Sequence, residues 1–101
     1  MEERYEPKDD VRELARAINS LKNEKEVVAF LRDLLTIGEI NEFSRRFQIM
    51  KSLVQKIPYQ KIALKFNTST ATVTRVAHWI KFGTGGYRMV IKRLFGGKTA
   101  S

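Results

Sequence analysis

Thr70, Thr72 and Thr74 alternate with Ala71 and Val73, and Arg75 follows directly, so three hydroxyls and a guanidinium are crowded into six residues. A hydroxyl needs a neighbouring base before it can act as a nucleophile, and the chain has one histidine, His78, and no cysteine. Small hydroxyls and an arginine are better suited to hydrogen-bonding base edges and phosphates. At about 100° per residue, a helix through this run turns Val73, Val76, Ala77 and Ile80 to one side. Ala71, Arg75 and His78 then point the other way, with Thr72 and Thr74 on the flanks. The outward face is small, hydroxylated and basic, as a helix entering the major groove must be.

Such a helix needs a second one to hold it. The stretch PYQKIALKF just upstream forms a short amphipathic helix with Ile62, Ala63 and Phe66 inward. Ala63 is small enough for a close crossing. Asn67 tolerates the positive φ of a sharp turn, and Ser69 or Thr68 can cap the helix that follows. The spacing predicts a helix-turn-helix over about 58–81.

Charge points to the same class of partner. Residues 1–42 hold all eleven acidic residues and seven basic ones, a net −4, whereas residues 43–101 hold twelve Lys or Arg and no acid, a net +12. A long carboxylate-free stretch favours a polyanionic partner. The bland alternative is a solvated basic face, and charge alone does not separate DNA, RNA and anionic lipid.

The wider pattern is all-α, with six helices and no convincing period-two segment. A first helix starts near Asp10, read as its N-cap, with Val11, Leu14, Ala15, Ile18 and Leu21 on one face. A second, over about 24–35, carries Val27, Val28, Phe30, Leu31, Leu34 and Leu35 over an arc wide enough to pack against two surfaces, which suits an interlocked oligomer. Thr36 and Glu39 have capping-box spacing. The third helix follows with Ile40, Phe43, Phe47, Met50 and Val54 inward, and stops before Ile57-Pro58. Pro58 suits the first turn of the fourth helix. GTGG at 83–86 breaks the chain before a sixth helix with Tyr87, Val90, Ile91 and Leu94 on one side. One helical domain over 10–95 is expected, with a polar arm at 1–9 and a flexible tail at 96–101. The polar start, unlike a secretory signal, and the lack of any transmembrane-length run lead to an expected cytoplasmic location.

The segment FLRDLLTIGEINEFSRRFQIMKSLVQKIPYQKIALKFNTSTATVTRVAHWIK resembles the Trp repressor family, most closely its YerC/YecD-type, Trp-repressor-related branch. The features that carry the likeness are LLT before the third helix, Arg45-Arg46 within it, and ATVTR in the fifth. The resemblance implies an intertwined, all-helical homodimer whose two recognition helices enter successive major grooves. A palindromic target with half-sites about 34 Å apart would follow. It implies base contacts from Thr70, Ala71, Thr72 and Thr74, and places Arg75 where the family has a residue serving both ligand and DNA. The family's phosphate-contacting lysine falls at Ala63, which leaves phosphates to Gln60, Lys61 and Lys65. The expected function is sequence-specific binding of double-stranded DNA by a transcriptional regulator, a repressor by family.

Thr36, Arg46, Thr72 and Arg75 match the family's effector pocket, and two arginines suit a carboxylate-bearing ligand. The family has glycine where this chain has Val76 and serine where it has Trp79. Val76 would occupy indole space, and the chain's own indole at Trp79 would fill part of the pocket. The expectation is therefore that free tryptophan is not bound as in the repressor. Either no effector exists and Trp79 holds the recognition helix, or a different small molecule binds; ordinary core packing is the plainer reading of Trp79. No metal or cofactor is expected.

An enzyme is poorly supported. Ser44 and Ser52 have no base beside them, and the glycines at 83, 85 and 86 follow no strand and form no phosphate loop. The competing class is a basic helical RNA-binding module or protein-interaction adaptor without operator specificity. Sequence-specific RNA readers usually expose aromatics for stacking. Here Phe43, Phe47 and Phe66 fall on apolar faces, leaving Tyr59 and Tyr5.

Overall fold

A computed structural model describes residues 5–96. Among these the chain forms six α-helices and no strand: α1 Asp9–Asn19, α2 Glu24–Leu34, α3 Ile37–Val54, α4 Tyr59–Lys65, α5 Thr70–Phe82 and α6 Gly86–Phe95. The all-helical class and the number of helices agree with the periodicity. The arm expected at 1–9 and the tail expected at 96–101 lie partly or almost wholly outside the described residues. The helices fall into two compact units that divide between Glu42 and Phe43, within the continuous α3.

In the first unit, local capping sets the helix ends. Asp10 is not the N-cap of α1. Lys8 takes that place in extended backbone, its carbonyl accepting from the Arg12 N–H at 3.0 Å. Asp9 and Asp10 both lie in the first turn, where their charges complement the helix dipole. Asn23 caps α2 by accepting from the Glu26 N–H at 2.9 Å, while Glu26 accepts in return from the Lys22 N–H at 2.8 Å. The box predicted at Thr36 and Glu39 is present: the Thr36 hydroxyl accepts from the Glu39 N–H at 3.1 Å, and the Glu39 carboxylate accepts from the Thr36 N–H at 2.9 Å. Neither α1 nor α2 contains a buried residue. Val11, Leu14, Ile18, Val28 and Leu34 are exposed while Leu21, Val27, Phe30, Leu31 and Leu35 are half-buried, so the apolar faces read from the sequence are formed but only partly covered in the single chain.

The second unit has a dense centre. Ile49 and Met50 of α3, Ile62 and Ala63 of α4, Val73 and Val76 of α5 and Ile91 of α6 are buried together, ringed by Phe47, Phe66 and Ile80 among others. Three residues read as inward are not. Phe43 lies nearly two turns before Ile49 and is exposed, and Val90 and Leu94 flank Ile91 but also face solvent. From α6 the core takes Ile91 fully and Tyr87 in part.

Two helix ends share one closure. At the end of α3, Lys56 N–H bonds Leu53 O and Ile57 N–H bonds Ser52 O; at the end of α4, Asn67 N–H bonds Leu64 O and Thr68 N–H bonds Ala63 O. Both are Schellman closures, which need a left-handed residue, and Lys56 (φ 66°) and Asn67 (φ 53°) supply it. Pro58 stands one position earlier than expected, as the cap of α4. At the end of α5 a Cβ on Gly83 would stand 2.5 Å from the Trp79 carbonyl oxygen, so only glycine fits. Gly85 enters α6 at φ 91°.

Candidate nucleic-acid interface

The helix-turn-helix is built from α4, the Phe66–Ser69 turn and α5, with α4 and α5 packed together. Ala63 lies in the core at their crossing, and Asn67 makes the left-handed turn for which it was singled out. Of the two candidate caps, Ser69 acts: its hydroxyl accepts from the Thr72 N–H at 3.1 Å and lies 3.1 Å from the Thr72 hydroxyl. The first turn of α5 is thereby fixed through a residue outside the core.

The two faces of α5 differ as the periodicity requires. Val73 and Val76 are buried, Ala77 and Ile80 half-buried. Thr70, Ala71, Thr74, Arg75 and His78 are exposed, and Thr72 is half-buried at the edge. On α4, Gln60, Lys61 and Lys65 are all exposed. The Lys65 ammonium sits over the Phe66 ring, 5.5 Å from its centroid. The residues assigned to bases and to phosphates thus share one unit and are open to a partner. Leu64, between the two lysines, is the most exposed large apolar side chain among the described residues, a feature the periodicity of so short a helix did not reveal.

The residues matched to an effector pocket divide. Thr36 belongs to the first unit, where its hydroxyl is engaged in the helix cap. Val76 is a core residue at 3% exposure. Arg46 and Trp79 are brought together: the guanidinium lies 5.4 Å from the indole centroid and 5.8 Å from the Phe43 centroid. Trp79 keeps 41% of its surface exposed, so in the single chain it is not ordinary core. Sequence reasoning marked Arg45 only as part of the family likeness and gave it no role; its Nη1 donates to the Phe66 carbonyl at 3.2 Å, next to the turn. A bond spanning twenty-one residues leaves no trace in local periodicity.

A separate groove of about 560 Å³ is floored by Val54, Ile80 and Ile91 and edged by Lys56, Lys81 and Lys92. It lies in the same unit but shares no residue with the outward face of α5. Among the described residues no helix is long and apolar enough to cross a membrane.

Comparison with known proteins places this architecture. The family described as Trp repressor protein matches residues 9–95. An uncharacterized protein of Bacillus subtilis, YerC, is 34% identical over 82 residues, covering 81% of this chain and 79% of its own. The crystal structure of a TrpR-like protein from Eubacterium eligens superposes with a TM-score of 0.80 at 40% identity, over 87% of this chain and 91% of that one. A second solved structure, from Staphylococcus aureus, gives 0.79 at 34% identity, over 88% and 89%. The chain belongs to the Trp repressor family of DNA-binding regulators, in its YerC-related branch.

Proposed function

We propose that this protein is a sequence-specific transcriptional regulator, a repressor, that binds palindromic double-stranded DNA as a homodimer. The observation that carries the reading is the division of α5 into a buried face, Val73 and Val76, and an open hydroxylated and basic one. In this reading Thr70, Ala71, Thr72, Thr74 and Arg75 meet base edges, while Gln60, Lys61 and Lys65 hold phosphates. Assembly from two copies is supported by α1 and α2, which form amphipathic faces yet bury no residue in one chain. The acidic first unit and the carboxylate-free remainder also suit contact between copies.

Free tryptophan is not the effector in this reading. Val76 is locked into the core, and the Trp79 indole already stands against Arg46. Selection from a random duplex pool, with and without tryptophan, tests the proposal. Enrichment of a two-fold symmetric motif regardless of tryptophan is expected. Binding that only fades with rising salt, with no enriched motif, would overturn operator recognition.

A further inference from the structure

We infer that Arg46 and Trp79 form a clamp between α3 and α5 that sets the rotation of the recognition helix, making both of them positioning residues; this rests on the DNA-reading assignment above. Trp79 lies on the flank of α5, about 60° round the helix from the buried Val76, and remains 41% exposed. Its ring is instead faced by the half-buried Arg46 at 5.4 Å, and the same guanidinium reaches the Phe43 ring at 5.8 Å. A guanidinium within about 6 Å of two ring centroids is held by the attraction of its charge for the ring faces.

The leverage comes from helix geometry. Trp79 and Thr72 are seven residues apart, which on an α-helix leaves them within about 20° of the same direction and about 10 Å apart along the axis. Fixing the indole therefore fixes the direction of Thr72, and with it Arg75 one turn on. The other end of the motif is held from the same place. Arg45 donates to the Phe66 carbonyl at 3.2 Å, immediately before the left-handed Asn67. Adjacent arginines of α3 thus grip the turn before α5 and the second half of α5. The seven-residue α4 is too short to hold that geometry alone.

Trp79 is the only tryptophan, so its replacement alters one defined contact. The test measures Kd for the selected duplex and for a random duplex, by anisotropy of labelled DNA, together with the thermal midpoint. Trp79→Leu keeps an apolar, though smaller, side chain but removes the ring; Trp79→Phe keeps a ring. The expected result is that Trp79→Leu lowers the preference for selected over random duplex by about fivefold, the scale of one partly desolvated cation–π contact. Random-duplex affinity should hold, the midpoint should fall by no more than the roughly 4–8 °C that losing one such contact costs a domain of this size, and Trp79→Phe should restore most of the preference. Trp79→Leu with unchanged preference would overturn the clamp, as would a parallel fall in both affinities and the midpoint, which marks a purely structural residue. A parent protein with no preference between the two duplexes would overturn the DNA-reading assignment itself, an outcome separable from the others.

Discussion

Asn67 is where the backbone asks most of a side chain, and replacing it by valine gives a quantitative test of the turn. At φ 53° an ordinary L-residue costs about 1–2 kcal/mol, and a branched Cβ makes valine one of the poorest choices. Asn67 incurs less of that cost because its short polar side chain tolerates the left-handed region. The chain cannot relax out of it cheaply, since the bonds from Asn67 N–H to Leu64 O (3.3 Å) and from Thr68 N–H to Ala63 O (2.9 Å) both depend on it. Asn67→Val should therefore lose roughly 1–2 kcal/mol, a fall in Tm of about 4–16 °C for a domain of this size. Asn67→Gly removes the residual strain but adds unfolded-state entropy of about 0.5–1 kcal/mol, and should come out near neutral. Lys56 holds φ 66° in the same closure without asparagine's tolerance, so Lys56→Gly should stabilise by about 0.5–1 kcal/mol. Circular dichroism melts at one fixed protein concentration make the comparison, because assembly would make Tm concentration-dependent. A loss at Asn67→Val below about 0.5 kcal/mol, or a loss at Asn67→Gly as large as valine's, would refute the reasoning.

Ser69→Ala should cost about 1 kcal/mol through the lost cap, with faster amide exchange confined to the first turn of α5. Met50, fully buried, should lose about 2–5 kcal/mol in chemical denaturation as Met50→Ala. Arg75→Ala should weaken binding to a selected duplex by about 1–3 kcal/mol while affecting random duplex less, as competition titrations would show. Lys61→Ala or Lys65→Ala should weaken all sequences alike, and each should flatten the log–log salt dependence by about one.

Much of this fold was legible because its punctuation is chemical. Pro58, the Thr36–Glu39 box, Ser69, Asn67 and the glycines at 83 and 85 each mark a place where backbone geometry restricts residue type. Lys56 escaped notice because lysine has no preference for positive φ, and the neighbouring hydrogen bonds alone impose it. Asp10 misled because an aspartate in the first turn and an aspartate at the cap are both favourable, and sequence does not say which. The apolar periodicity of α1, α2 and α6 was right about faces but silent on whether one chain covers them; Val28, Val90 and Leu94 are exposed. Within the candidate interface, the inward and outward residues of α5 followed from helical period. The Arg45 and Arg46 contacts did not, since they join segments that only the fold brings together.

The separation of faces on α5 has a consequence for how such a protein can diversify. Thr70, Ala71, Thr74 and Arg75 are exposed, and the core is completed by Val73 and Val76 without them. Substitutions at exposed sites away from caps and networks usually change stability by no more than about 0.5 kcal/mol. These four positions can therefore vary almost freely with respect to folding, while Ser69, Asn67 and Ala63 cannot. On the proposed function, a gene duplication could retune the outward residues for a new DNA sequence without first acquiring stabilising changes elsewhere. The scaffold and the address it reads on this proposal are, to that extent, inherited separately.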